Sequence, residues 1–552
     1  MTKIFPLGGI SGVTKNLFVY EHNDDMLVVD CGIGFPDETM PGVEFLIPDS
    51  QYLQDRLAQG ATLHAIVLSH GHDDHIAALP YVLREIDVDV PIFGSPLTAE
   101  FAMTRMADNG VEKEVQYFED DGVLEFGPFQ VENIRITHSI PDTRHLVIRT
   151  PDGVFYHGSD FKLDLTPVDG IPSDLQRVAE IGREGVLCAA IDCLRIERPL
   201  PAASESSVGA AIREEMRDVE GKVLVTLMSS SIHRIQQAVD VAAEYGRKVA
   251  FIGRSVEQNV NTAMNMGLLD IPQDMKVNKR RMDDIPDSEL CVIIAGSQGQ
   301  PGSSLVRAVF GSHRMISVSK GDKIIFSSDA IPGSEKDVYR TINRIASQGI
   351  EVAYAEMNPG LHVSGHASEY EQMILLHLLQ PEYVFPIGGE DRHRVLFGLK
   401  VREHGYRPQQ VVLPMDGKWV EFAGGKMRYS DEQIKLRERS VDSTGVADVI
   451  SKHLSERETL GKNGAMVVSV LESAGTVDPD NIAIDMRGVA LGEDVPQDEL
   501  RDRIRQTVEE LVETSDSSSQ DLRRDVEKSI VRLLNDKFGL NPLVMVVISS
   551  VS

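Results

Sequence analysis

Ser69-His70-Gly71-His72-Asp73-Asp74-His75 follows the apolar run Ala65-Ile66-Val67-Leu68 and precedes IAALPYVLREI, whose apolar spacing is helical. The segment is therefore an imidazole and carboxylate cluster on a strand-to-helix loop. In extended chain His70 and His72 lie two apart and project to one side, so both can face one cation, while Asp74 and His75, at the turn into the helix, can face a neighbouring one. The bland alternative is a solvated loop that gathered its histidines by chance. At the His and Asp content of this chain only about 0.001 matches to HxHxDH are expected by chance, so the cluster is read as a binuclear metal site.

Two later residues complete the set. His138 in RITHSIPD and Asp160 in YHGSDFKLD each follow a strand-like run. Either alone would be an ordinary loop residue, but their order after HxHxDH makes the joint reading the better one. Neutral imidazoles and carboxylates suit zinc or manganese, and a carboxylate such as Asp160 can bridge two ions about 3.5–4 Å apart. Such a pair acidifies water and stabilises charge building on a phosphoryl oxygen, so ester hydrolysis needs no side-chain nucleophile. Asp30 in VVDCG is a candidate acceptor for a ligand imidazole, with an ordinary turn aspartate as the equal alternative.

The chain has 552 residues, which predicts three or four domains. No apolar run is long enough for a membrane span, and the N-terminus enters a glycine turn at once, so a cytoplasmic protein is expected. Cys31, Cys188, Cys193 and Cys291 are scattered without a CxxC pair, which suits a reducing compartment and leaves metal binding to His and Asp. The formal net charge of −30 at first sight discourages a nucleic-acid partner. Net charge does not locate charges, however, and a basic groove or bound cations would still attract RNA.

The first 200 residues alternate short apolar runs with turns, which reads as stacked sheets with helices outside. From about residue 204 the pattern becomes alternating helix and strand, as in KVLVTLMSS, HRIQQAVDVAAEYG and KVAFIG, and predicts a parallel, doubly wound sheet. Near residue 360 loop-borne polar motifs return (HVSGHAS, YVFPIGGED), so the first domain resumes after a long insertion. Residues 431–455 are expected as a linker. The remainder reads as a small α/β domain, with a short Ser-rich patch near residue 515.

Further stretches sharpen the class. FPDETMPGVEFLIPD, THSIPD, GSDFKLD, IERP, HRIQQ, GSQGQP, IPGSE and HVSGHAS, in this order from about residue 5 to 395, resemble the successive motifs of the ribonuclease J family. The resemblance implies a metallo-β-lactamase αββα sandwich (1–203 and 356–430), an inserted β-CASP α/β domain (204–355) and a small C-terminal α/β domain (456–552). It implies single-stranded RNA as substrate, cut by a 5′-to-3′ exonuclease preferring 5′-monophosphate ends and also by endonuclease action. Two divalent ions, zinc in the first instance with manganese or magnesium as alternatives, would sit on His70, His72, Asp74, His75, His138 and Asp160. Catalytic parts fall to Asp74, to Asp192 in AIDCLRIERP and to His366, the last as proton donor to the leaving oxygen. Ser231, His233, Arg234, His362, Ser364 and His366 would form the pocket for the 5′-phosphate. A homodimer or homotetramer aided by the tail, and partners among RNA-decay enzymes, are also implied, with no membrane. Read without the resemblance, His233-Arg234 is a surface pair at a helix start, and the basic cluster Lys276, Lys279, Arg280 and Arg281 is as easily a solvated edge as an RNA track.

One position departs from the family. Its Pro-x-His-Gly-Glu motif supplies a second-metal ligand 22 positions after the histidine that is His366 here, and this chain reads Pro386-Ile387-Gly388-Gly389-Glu390. Glycine has no side chain to ligate. Three outcomes are open: a weaker second metal with water in the gap, substitution by another residue such as His393, or an impaired, RNA-binding member. Asp329, Cys193 and Gln300 are lesser departures. A small-molecule metallo-hydrolase is a further reading, but it leaves the long insertion unexplained.

Overall fold

Strands in the first part of the chain are short and apolar on both sides. Phe18–His22 and Asp25–Val29 bury nearly every residue, as strands do when both faces of a sheet are covered. The computed structural model describes all residues except 38, 120, 121, 332, 416, 443, 444, 449, 450, 474, 475, 493, 494, 515–518 and 552. Most of the Ser-rich patch near residue 515 thus lies outside the described residues. The chain divides into two compact units, residues 1–35 with 44–446, and residues 36–43 with 447–552.

In the larger unit, an eight-stranded sheet runs in the order Lys426–Tyr429, Val420–Ala423, Thr2–Pro6, Phe18–His22, Asp25–Val29, Thr62–Val67, Ile92–Gly94, Val115–Tyr117. A six-stranded sheet runs in the order Tyr383–Ile387, Val186–Asp192, Gly153–Gly158, Arg144–Thr150, Phe129–Arg135, Val123–Phe126. Tyr20, Leu27 and Val29 of the first share one buried cluster with Phe129, Leu146 and Phe155 of the second, so the two sheets pack face to face. Helices cover both outer faces. Leu53, Leu79 and Val82 seal the first, and Val178, Leu376 and Phe397 seal the second. This is the αββα sandwich, with residues from beyond 380 closing both sheets.

A third sheet, ordered Lys248–Ile252, Leu290–Ile294, Val223–Thr226, Lys323–Phe326, Glu351–Ala353, is parallel throughout. Its central strands are buried at every residue, which is why they read as unbroken apolar runs rather than alternating ones. Residues 431–455, expected as a linker, include a strand, Arg439–Asp442, which pairs antiparallel with Phe45–Ile47, and the start of the helix Ser451–Asn463.

The smaller unit has a three-stranded sheet, Thr476–Arg487, Ala465–Ser473, Leu543–Val551, and helices Gln497–Thr514 and Ser519–Phe538. Leu500, Ile504 and Val508 recur at helical spacing and pack with Val468 and Val546. Among the described residues, no helix is long and apolar enough to cross a membrane.

Candidate active site

Five strands of the sandwich, Thr62–Val67, Phe129–Arg135, Gly153–Gly158, Val186–Asp192 and Tyr383–Ile387, end near one another, and their following loops carry the polar motifs. Backbone hydrogen bonds lock these loops together: Arg144 N–H to Ser69 O at 2.9 Å, Lys162 N–H to Thr137 O at 2.8 Å, and Cys193 N–H to Ile387 O at 3.0 Å. Side chains as far apart in sequence as His70 and His366 are thereby brought to one edge of the two packed sheets.

His70, His72, His138 and Asp160 converge there, and so do Asp74, His75 and Asp160. His72 Nδ1 lies 3.1 Å from both His70 Nε2 and His138 Nε2. Asp160 Oδ2 is 3.8 Å from each of those two Nε2 atoms and 3.5 Å from His75 Nε2. Asp74 Oδ2 is 3.6 Å from His75 Nε2. Four ligands around a tetrahedral ion stand about 3.4 Å apart when each bond is about 2.1 Å, so the first group already has the right spacing.

The hydrogen-bond network decides which nitrogens are free to ligate. His138 Nδ1–H donates to Gly365 O at 2.8 Å, which leaves a lone pair on Nε2. Ser69 Oγ gives its proton to Asp30 Oδ2 at 2.8 Å and therefore accepts from His70 Nδ1 at 3.0 Å, leaving a lone pair on His70 Nε2 as well. Lone pairs facing one another around His72 Nδ1 and a carboxylate oxygen are mutually repulsive without a cation and are a ligand set with one. The residues present fit divalent ions. Burial pushes His70 and His138 well below the usual imidazole range and His72 down to about 4, so all three are neutral at pH 7, as ligation requires. Burial alone would raise Asp160, but the rings of His366, His75 and His70 hold it well below the usual carboxylate range.

Asp30 has the part anticipated for it. Held at φ 61°, it accepts from His75 Nδ1 at 2.8 Å, from Ser69 N–H at 2.7 Å and from Ser69 Oγ. It thus orients one imidazole of each group, directly for His75 and through the Ser69 hydroxyl for His70. The serine relay was not read from sequence, although it adjoins the motif. Asn16, whose Nδ2 lies 3.0 Å from His75 Nε2 and 3.2 Å from Asp74 O, gave no sequence signal at all.

His366 Nδ1–H donates to Asp192 Oδ2 at 2.8 Å, and its Nε2 lies 3.8 Å from Asp160 Oδ2. Burial disfavours the charged ring, but Asp192 and Asp160 outweigh it and lift His366 to about 9. Gly388 lies beside them at φ 68°, and a Cβ added there would stand 3.3 Å from Asp192 Oδ1 and 3.7 Å from Asp160 Oδ1. A side chain at 388 would therefore enter the site. His393 does not replace it: its Nδ1 accepts the Glu390 N–H in a helix-capping arrangement and its Nε2 lies 3.6 Å from Glu197.

The expected phosphate-pocket residues are only partly brought together. His362, pushed down to about 3 by burial and by Arg234, Arg195 and Lys162, accepts from Arg234 Nη1 at 3.0 Å. Ser364 Oγ accepts from His366 N–H at 3.1 Å. Ser231 is buried at the start of the helix Ile232–Glu244, and His233 Nε2 is turned to Asp169 at 3.6 Å.

Arg234 needs correcting as a phosphate donor. It is 2% exposed, paired through Nε and Nη2 with both oxygens of Glu205 at 2.7 Å, and hydrogen-bonded to Ser327 O and Val363 O. Its guanidinium ties the loops that carry Glu205, Ser327 and Val363. Replacing Arg234 with methionine is expected to cost about 3–5 kcal/mol of stability, because Glu205 is left buried and unpaired. Denaturant unfolding measures this, and a variant as stable as its parent that lost only 5′-end discrimination would return Arg234 to the phosphate pocket.

A cation missed from sequence lies closer to the site. Arg195, immediately before the IERP motif (Ile196-Glu197-Arg198-Pro199), is half-buried and donates to His366 O at 3.4 Å. Three members of the basic cluster have acidic or amide partners. Lys279 pairs with Glu257, Arg281 with Asp284, and Lys276 donates to Asn261.

Three family descriptions match the chain: metallo-β-lactamase superfamily over residues 11–163, ribonuclease J β-CASP domain over 220–345, and ribonuclease J C-terminal domain over 452–551. Ribonuclease J 1 of Streptococcus pyogenes is 32% identical over 84% of this chain and 82% of its own. Ribonuclease J of Thermus thermophilus is 36% identical over 85% of this chain and 82% of its own. A crystal structure of a protein of unknown function from Enterococcus faecalis superposes with a TM-score of 0.51 at 14% identity, covering 78% of this chain and all of that one, a likeness of fold alone.

Proposed function

We propose, from the premise that this chain belongs to the ribonuclease J family of metal-dependent ribonucleases, that it degrades single-stranded RNA as a 5′-to-3′ exonuclease preferring 5′-monophosphate ends, with endonuclease action besides, in cytoplasmic RNA maturation and decay. The observation that carries the reading is the shared Asp160 carboxylate, within 3.8 Å of His70, His75, His138 and His366. His70, His72, His138 and Asp160 would hold one divalent ion, zinc by donor type, and Asp74, His75 and Asp160 a second. When bound, these ions supply the positive charge that polarises a phosphodiester and acidifies water.

The chain's own residues do the rest. His366 carries a proton at Nε2, within the site, suited to the oxygen that leaves when the P–O bond breaks. Asp192 is its positioning residue: the hydrogen bond to Nδ1 fixes the ring and favours its charged form. His362, Ser364, Ser231 and His233 are proposed to receive the 5′-terminal nucleotide, with Arg195 as the nearby cation. Assembly as a homodimer or homotetramer and association with RNA-decay enzymes belong to the same proposal.

Gly388 favours a second reading, a member that binds RNA but turns it over poorly. A time course on 5′-monophosphorylated single-stranded RNA with manganese or zinc tests both. Cleavage that starts at the 5′ end and stops with chelator is the expected result. No cleavage by a sample shown to contain metal would overturn the ribonuclease reading and leave the binding one.

A further inference from the structure

His362 has two ring nitrogens and only one is free to meet a ligand. Arg234 Nη1–H donates to Nδ1, so the neutral ring carries its proton on Nε2. That Nε2–H faces the carboxylate of Asp329, with Oδ2 at 3.6 Å. Asp329 follows Ser327, whose carbonyl and hydroxyl bond Arg234 and Leu361 O, so the residue stands at the base of the same tied loops. Its own carbonyl accepts from Gln298 Nε2 at 2.9 Å. The side chain is 63% exposed, at the outer side of His362.

The charges around His362 are otherwise balanced. Arg234 is neutralised by Glu205. Lys162 lies 3.4 Å from Asp164 and donates to Ala203 O. Arg195 remains; burial and Glu356, which holds the Tyr339 hydroxyl, push the Asp329 carboxyl up, while Arg234 and Arg195 act on it in the opposite sense. An incoming anion would find one cation, Arg195, one aimed donor, His362 Nε2–H, and a carboxylate already set against both.

We propose that Asp329 is the residue that sets 5′-end specificity here: it competes with a terminal phosphate for His362 Nε2–H and penalises RNA ends in proportion to their negative charge. The inference rests on the proposed placing of the 5′ end at His362. It makes this chain less discriminating for a monophosphate over a hydroxyl end than its histidines and Arg195 alone would dictate, and strongly averse to a triphosphate.

Binding tests it without turnover. Three 3′-labelled single-stranded RNAs of one sequence, ending in 5′-hydroxyl, 5′-monophosphate or 5′-triphosphate, are titrated with the full chain in chelator at low salt, where surface charge is least screened. Asp329→Asn is expected to tighten the monophosphate RNA about tenfold and the triphosphate RNA more, leaving the hydroxyl RNA within about twofold. Asp329→Glu, which keeps the charge, should preserve the parent's order. Equal gains for all three ends would show a general cleft effect and overturn the proposal, as would no gain at all. The ribonuclease reading fails separately: graded binding by a chain that never cleaves RNA when metal is present would sink that reading and leave this one standing.

Discussion

Asp160→Ala is expected to abolish RNA cleavage, lowering its rate at least about 1,000-fold, and to strip the chain of both cations rather than one. A shared ligand is unlike the others in this respect. Removing His138 takes one nitrogen from one group, whereas Asp160 Oδ2 stands 3.8 Å from His70 and His138 on one side and 3.5 Å from His75 on the other. A loss of about 4 kcal/mol of transition-state stabilisation corresponds to that rate change, within the several kcal/mol a catalytic metal provides. Folding should survive. The carboxylate's partners keep other contacts: His75 stays with Asp30, His138 with Gly365 O, and His366 with Asp192. Thermal melts with and without metal separate the effects, since an ion at 100 times its Kd stabilises the parent by about 2.7 kcal/mol and should do nothing for a variant that no longer binds it. Elemental analysis showing two ions still present in Asp160→Ala, with cleavage within tenfold of the parent, would refute the shared-ligand assignment.

The convergence of the His and Asp cluster was legible because local chain geometry places its members. Four of the six lie within six residues, His70 and His72 in the loop after Thr62–Val67 and Asp74 and His75 in the short helix Asp73–Ile76, and His138 and Asp160 each follow a strand whose apolar run marks where the loop begins. The parallel sheet was legible for a related reason, since strands buried on both faces cannot alternate. What failed was pairing at a distance. Arg234 looked like a surface donor because nothing near it in sequence announces Glu205, 29 residues upstream, or the carbonyls of Ser327 and Val363. The partner of Lys279 was hidden for the same reason, Glu257 lying 22 residues before it. The strand Arg439–Asp442 has its mate at Phe45–Ile47, and a polar stretch read in isolation gives no hint of it. Arg195 was hidden because its relevance depends on where His366 and Asp329 fold, not on its own neighbours.

Gly388→His is expected to tighten the second cation about 100-fold and to raise cleavage most where metal is scarce. The backbone is already suited to it. Gly388 N–H donates to Gly9 O at 3.0 Å, so the position is fixed by the main chain and not by a side chain. Its φ of 68° is the left-handed region, which costs a non-glycine residue about 1–2 kcal/mol but admits histidine more readily than most. The new Cβ would meet Asp192 Oδ1 at 3.3 Å, a close contact that Asp192 must yield to by a few tenths of an ångström. Asp192 also holds His366, so the substitution should lower the stability of the metal-free chain while raising that of the metal-bound one. The two effects have opposite signs and are read by melts in chelator and in manganese. A hundredfold gain is about 2.7 kcal/mol, enough to exceed the backbone cost. Metal titration by calorimetry decides the outcome. Unchanged affinity for both ions would show that Asp74, His75 and Asp160 already complete the second site in this chain, and RNA cleavage by the parent at saturating metal should then match that of the variant. Cleavage that appears only with histidine at 388 would instead mean that the parent binds RNA over a site one ligand short of efficient chemistry.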